Sequence, residues 1–432
     1  MMKKKPLFLG GILFTVVFTV SSIAATAGRQ FDLATGIKLA LENNRDVKMA
    51  MKDRETAYWR WQELRANKLP VLNLKHTDSH LKPNPYEPFY LYEHYDPPVT
   101  DCFDNQLSLS MPLYTGGQLE GLIKQSDINL KIADQNLIKT KQQTKLAATV
   151  AYYNLLQTNS LVKLGQETVD RLTAHLKNIR TRLVIGVVTK NDVLRTEVEL
   201  SSAEENLIKA KNNYDLAMVN FNNVMGLPLD TEITVKEDLS YTKYEDSLEN
   251  CTAEALKNRP EAQQTDLNYQ SAKSGVAIAK SGYLPTVSFV GAVDQKSDTF
   301  PGNDYTNWSL SLISNWNLYT SGQTKSRVNQ VTAMQDKALE ASFKAKDTIC
   351  LEVRQAYLSL KEAEKRIQTC ELALNQATED FQLTLGRYNT GIGINLDVLD
   401  SQVALAQIRT RYINSLYDYN VSLAQLQKAI GN

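Results

Sequence analysis

The sequence predicts a mixed α and β membrane protein in which long antiparallel coiled-coil helical hairpins carry four β-strands, the whole unit being present twice. Three observations predict it. The chain repeats itself, over much of its length at an offset of 205 residues, heptads run through both halves, and short segments ahead of the heptads alternate apolar with polar residues.

The repeat is direct. Leu113-Tyr114-Thr115-Gly116-Gly117-Gln118 returns as Leu318-Tyr319-Thr320-Ser321-Gly322-Gln323, Ala151-Tyr152 as Ala356-Tyr357, Gly186 as Gly391, Asp192-Val193-Leu194 as Asp397-Val398-Leu399, and Gly226 as Gly431. Upstream the offset widens to 215, with Ala40-Leu41 matching Ala255-Leu256 and Leu69-Pro70 matching Leu284-Pro285, so ten extra residues lie between Pro70 and Leu113. The organisation that follows is a signal peptide over 1–27, a first repeat over 28–226, a connecting segment over 227–250 and a second repeat over 251–432.

Lys3-Lys4-Lys5, the apolar run from Leu7 to Val20 and Ala25-Thr26-Ala27 are the three parts of a secretory leader cleaved after Ala27. The apolar core is short for a membrane span, which favours export. Three lysines leave with the leader, so the balance becomes 45 Lys+Arg against 48 Asp+Glu. That near-neutrality gives no nucleic-acid surface and no polybasic membrane patch. Cys350 and Cys370 fall in one predicted helix, roughly 30 Å apart at about 1.5 Å per residue, and Cys102 and Cys251 lie in other regions; all four are expected to be unpaired. No C-x-x-C spacing supports a zinc site.

Each repeat opens on a helix, predicted over about Leu33 to Asn67 and about Thr252 to Ser281, that stops where the Leu-Pro step pushes the chain out of helical geometry. Strands follow from Pro70 and Pro285. Residues 106–113 place Leu107, Leu109, Met111 and Leu113 on one face and Gln106, Ser108 and Ser110 on the other; Trp308, Leu310, Leu312, Trp316 and Leu318 repeat the pattern against Ser309, Ser311, Asn315 and Asn317. The result is two hairpins with one apolar and one polar face. Residues 77–104, rich in Pro and Tyr, read as a long exposed loop, and His76, Asp78 and His80 carry no metal site in an irregular segment. Four strands cannot close a barrel, since the smallest membrane barrels need about eight, and a bare-edged sheet invites aggregation. Several copies of the chain must pool their strands.

The heptads come next. Leu155, Val162, Val169, Leu176 and Leu183 recur every seven residues and return as Leu360, Ile367, Leu374, Phe381 and Tyr388; past each turn Val193, Leu200, Leu207, Tyr214 and Phe221 are matched by Val398, Leu405, Tyr412 and Tyr419. The longer arm, about 118–184, is roughly 100 Å long at about 1.5 Å per residue, far beyond the needs of a compact domain. Taken alone, these features also fit an exported coiled-coil stalk with a small β region and no pore.

Together, the paired Leu-Pro steps, the Pro112-Leu113-Tyr114-Thr115-Gly116-Gly117 passage and Arg387-Tyr388-Asn389-Thr390-Gly391 followed by Asp397-Val398-Leu399-Asp400 make the chain resemble the TolC-like outer-membrane factors. The resemblance spans nearly the whole mature chain. It implies a homotrimer with a shared twelve-stranded barrel in the outer-membrane lipid, a periplasmic helical tunnel, and an equatorial belt from about Leu227–Asn250, to which a chain ending just past Gly431 adds little. It also implies a periplasmic adaptor and an inner-membrane pump of RND, ABC or MFS type, serving multidrug efflux or type I secretion.

The same resemblance implies site residues. Asp397 and Asp400 match acids that form constricting rings, although both also fit a helix first turn where the dipole favours carboxylates. Three converging acids in a narrow throat favour cations over anions. Tyr388 and Asp192 match partners that hold the tunnel closed, while Tyr388 equally fits heptad packing. Gly393 stands where the family carries an arginine, so that contact is left unassigned. The turns with Gly186, Val187, Val188 and Thr189, and with Gly391, Ile392 and Gly393, match the tips that meet the adaptor. No nucleophile–base pair, phosphate loop or metal cluster is legible, so no enzyme activity and no cofactor is expected.

Overall fold

The computed structural model describes residues 30–81, 100–235 and 239–432; the expected signal peptide and residues 82–99 of the expected outer loop lie outside them. In chain order the elements are β1 (Gln30–Phe31), α1 (Leu33–Asn43), α2 (Arg45–Ala66), β2 (Val71–Leu81), β3 (Thr100–Tyr114), α3 (Gln118–Val184), α4 (Lys190–Met225), β4 (Thr234–Val235), α5 (Leu248–Asn258), α6 (Pro260–Lys280), β5 (Thr286–Ser297), β6 (Tyr305–Asn315), α7 (Gln323–Asn389) and α8 (Asn395–Ile430). The helical arms obey the repeat to the residue. Helices α3 and α7 each have 67 residues and α4 and α8 each have 36, with starts and ends 205 apart.

The arms pair as antiparallel hairpins, α3 on α4 and α7 on α8, and the two hairpins meet chiefly along α3 and α8. Heptad residues form the seams. Leu155, Leu360 and Tyr419 are fully buried, each Leu contributing about 1.5–3 kcal/mol relative to exposure. One core gathers Tyr152, Leu155, Phe221 and Met225 with Ala40 of α1; the second gathers Leu360, Ile367, Tyr419 and Ile430 with Ala255 of α5. Residues from the segment between the halves join both, Ile233 the first and Tyr241 and Tyr244 the second, and the Tyr419 hydroxyl donates to the Thr242 carbonyl at 2.6 Å.

Two sequence expectations need correction here. The opening helices are each broken in two, at Asn44 and at Arg259. The Asn44 side chain caps α2 by accepting from Asp46 N–H and donates to the Val224 carbonyl. In the second half Pro260 takes the first helical position, and the buried Arg259 guanidinium pairs with Glu261 at 3.0 Å and with Glu352. The strands also run further than the alternation indicates. His76, Asp78 and His80 lie within β2 rather than in an irregular loop, where a period of two puts all three on one face. The His76 and His80 rings bond across the ladder to Asn105 and Asp101. Among the described residues no His/Cys/Asp/Glu group is arranged to hold a metal.

The strands form one antiparallel sheet in the order β2-β3-β5-β6, leaving β2 and β6 as edges. Both hairpins have the same register. Val71 faces Ser110 and Thr286 faces Asn315, the second pair being the first advanced by the 215- and 205-residue offsets. Pro112 sits where the β3–β5 register shifts, a bulge that accommodates a residue with no N–H to give.

Candidate functional site: the two-faced sheet and the hairpin tips

Register assigns every strand residue to a face. Leu72 and Leu74 stand beside Leu109 and Leu107, these beside Gly291 and Val293, and these beside Leu310 and Trp308. The large residues of this face are bare: Leu72, Leu74, Trp308, Leu310 and Leu312 on the edge strands are 64–75% exposed, and Leu107 on β3 is 44% exposed. The opposite face carries Asn73, Lys75, Gln106, Ser108, Asp294, Asn307 and Ser309, with Gln106 donating to Asp294 at 2.7 Å and Lys296 lying 3.6 Å from Asp104. A contiguous apolar face of this kind needs a cover. Lipid on one side and water on the other satisfies both faces of such a sheet. Among the described residues no helix is long and apolar enough to cross a membrane.

At the other end, α3 and α7 reverse direction through matching turns. Gly186 and Gly391 adopt φ of +76° and +82°, a region that only glycine enters without strain, and Val187 N–H and Ile392 N–H reach back to the Arg182 and Arg387 carbonyls. Val184, Ile185, Val187, Ile392 and Ile394 are exposed, whereas Val188 packs into the core beside Tyr388. Gly393 is a close-approach position. A Cβ there lies 3.0 Å from the Tyr388 backbone nitrogen.

Beyond the turns the copies diverge. Thr189 caps α4, and Asp192 answers by accepting from both the Thr189 N–H at 3.0 Å and its hydroxyl at 2.6 Å. The counterpart of Thr189 is Ile394, which offers no side-chain cap, so Asp397 has no hydroxyl to bind and stays exposed with Asp400 on the first turns of α8. Tyr388 is 3% exposed, packed among Leu176, Ile179, Val193 and Val398, and its hydroxyl bonds to nothing among the described residues. Burial raises its pKa; the Arg182 charge opposes this and the Asp192 charge adds to it. Asp192 and Tyr388 therefore feel one another electrostatically without sharing a hydrogen bond.

Three residues that sequence reasoning passed over tie the two tips together. The Arg182 guanidinium lies 4.7 Å from the Tyr388 ring centroid and donates to the Tyr388 and Asn389 carbonyls at 3.2 and 3.3 Å. His175 meets the Tyr388 ring edge-on and shares a 2.9 Å bond with the Asn395 side-chain oxygen. The Asn395 amide then donates to the Asp192 carbonyl and the Thr196 hydroxyl, each at 3.2 Å. Burial lowers the His175 pKa, the Asn395 bond opposing and the Arg182 charge assisting. The sequence signal was faint: at 205 residues' remove these positions change character, His175 to Asp380 and Asn395 to Lys190.

A sheet with a lipid-compatible face and a water-compatible face, mounted on rods roughly 100 Å long with 67 residues at about 1.5 Å each, defines a channel protein of the outer membrane reaching into the periplasm. The comparisons agree. The outer membrane efflux protein family matches residues 36–227 and 252–432, and the chain belongs to that family, whose members are transport ducts and not enzymes. Among curated relatives, the solvent efflux pump outer membrane protein SrpC of Pseudomonas putida is 21% identical over 402 residues, 91% of this chain and 83% of its own. The outer membrane protein TolC of Vibrio cholerae is 22% identical, covering 78% of each chain. Among solved structures, the Campylobacter jejuni CmeC outer membrane channel superposes with a TM-score of 0.82 at 17% identity, covering 92% of this chain and 85% of the other. The open state of the Neisseria gonorrhoeae MtrE channel gives a TM-score of 0.80 at 18% identity, over 93% and 89%.

Proposed function

We propose that three copies of this outer-membrane efflux protein close one twelve-stranded barrel and one helical tunnel, and that the assembly is the passive exit duct of a tripartite pump. The observation that carries this reading is the two-faced sheet whose end strands β2 and β6 each have one outer edge without a partner among the described residues. A membrane excludes such edges, and pooling strands removes them. Relatives that serve solvent efflux and pyoverdine export show how varied the cargo of such ducts is, and we assign selection to the pump.

In this reading Asp397 and Asp400 supply the constriction at the inner end. Three copies of an acid facing one axis attract multivalent cations, and the missing cap at Ile394 leaves Asp397 free to do so. Gly186, Val187, Val188 and Thr189, with Gly391, Ile392 and Gly393, form the docking tips for a periplasmic adaptor, whose apolar surface covers Val187 and Ile392. Energy comes from an inner-membrane pump of the RND, ABC or MFS class. The test is the mass of the detergent-purified protein, with photo-crosslinking from positions 187 and 392 in cells. A trimer that captures a periplasmic protein from both tips is expected; a monomer, or tips that capture nothing, contradicts the reading.

A further inference from the structure

Each chain contains a seam between its two halves, and the duplication turns that seam into a description of another. Inside the chain, the second strand and long helix of the first half meet the first strand and last helix of the second half: β3 pairs with β5, and α3 packs on α8. In a ring of chains the second half must meet the first half of the next copy. Moving each residue by the repeat offset converts α3 against α8 into α7 against α4 of the partner.

The conversion turns two neutral side-chain bonds into pairs of opposite charge. The neutral His175–Asn395 bond becomes Asp380 against Lys190 of the partner subunit, and the Asn395 bond to the Asp192 carbonyl becomes the partner's Lys190 against the backbone carbonyl of Asp397, leaving that carboxylate free. The 2.8 Å Gln157–Asn414 bond becomes Glu362 against Lys209 of the partner subunit. Arg182, which grips two carbonyls at the neighbouring tip, becomes Arg387, an arginine again. One contact does not carry over: the Arg409–Glu167 pair becomes Glu204 of the partner subunit against Leu372. Within the protomer Lys190, Asp380, Arg387 and Asp397 are all exposed, and none is in an ion pair among the described residues.

We propose that the subunit interface repeats the intrachain seam, with the partner's Lys190 against Asp380 and the partner's Lys209 against Glu362. The proposal rests on the trimeric duct reading and names the contacts that hold it. Within the chain this seam mixes neutral hydrogen bonds with the Arg409–Glu167 ion pair. Opposite charges suit the seam that must find a separate copy, because they steer approach and penalise a wrong register.

The test is zero-length carbodiimide crosslinking of the detergent-purified full chain, read by denaturing gel and by mass spectrometry of the crosslinked peptides. Dimer and trimer bands are expected, carrying Lys190 linked to Asp380 and Lys209 linked to Glu362. Lys190→Gln with Lys209→Gln should abolish those peptides while leaving the native mass of the assembly trimeric. An assembly trimeric by mass that yields neither link between chains overturns the proposed interface and leaves the duct reading standing. A chain monomeric by mass overturns both.

Discussion

Thr189 and Asp192 close on each other at the head of α4, each satisfying the other's backbone N–H, and the pair 205 residues on, Ile394 and Asp397, cannot do so. One substitution at this point of the repeat thus ties down an acid in the first half and leaves its counterpart available in the second. Thr189→Ala should cost about 0.5–2 kcal/mol of stability, the usual price of an N-cap, measured as a shift in the denaturation midpoint in detergent.

The acid left available is the one assigned to the constriction. Asp397→Ala combined with Asp400→Ala should weaken block by multivalent cations in single-channel recordings. Ile394→Thr should act in the same direction by a different route, because the new hydroxyl recruits the Asp397 carboxylate into a capping box. Unchanged block in both variants would place these acids outside the constriction.

The long helices were legible because glycine pairs and heptads mark them: the arm expected over about 118–184 is α3, Gln118–Val184. The breaks at Asn44 and Arg259 were not, since apolar spacing continues across both and only a local cap or a proline marks the restart. The outer halves of β2 and β3 escaped for a different reason. From His76 to His80 and from Asp101 to Asn105 polar side chains dominate, so alternation vanishes although the ladder continues. The tip network was hidden by distance, His175 and Asn395 being 220 residues apart.

Sheet orientation gives a sharp contrast between neighbours. Leu310 lies on the bare apolar face and Ser309 on the polar one. Leu310→Arg should destabilise the membrane-inserted protein by about 2–4 kcal/mol, as charges on the lipid face near the midplane do, whereas Ser309→Arg should be tolerated and alter ion selectivity. Folding yield in lipid vesicles and reversal potentials separate the two.

His175 makes the tips sensitive to acid. Its pKa in the fold lies below the ordinary 6.5, chiefly through burial, so the unfolded chain takes up a proton that the folded chain refuses. Stability from this group is therefore complete above about pH 6.5 and falls as the pH drops through that value, until the folded ring also protonates. His175→Gln should show a smaller loss of stability than the parent between about pH 7.5 and about pH 5.5, measured as denaturation midpoints.

The central claim is that this chain builds a water-filled path through the outer membrane. The most direct measurement is conductance of the purified protein in a planar lipid bilayer, recorded from both sides with and without a multivalent cation. Discrete, stable channel openings that the cation blocks from the side carrying the helical tips are the predicted result. A purified protein that inserts into the bilayer as a trimer yet passes no current, or that stays in water as a monomer, would contradict it.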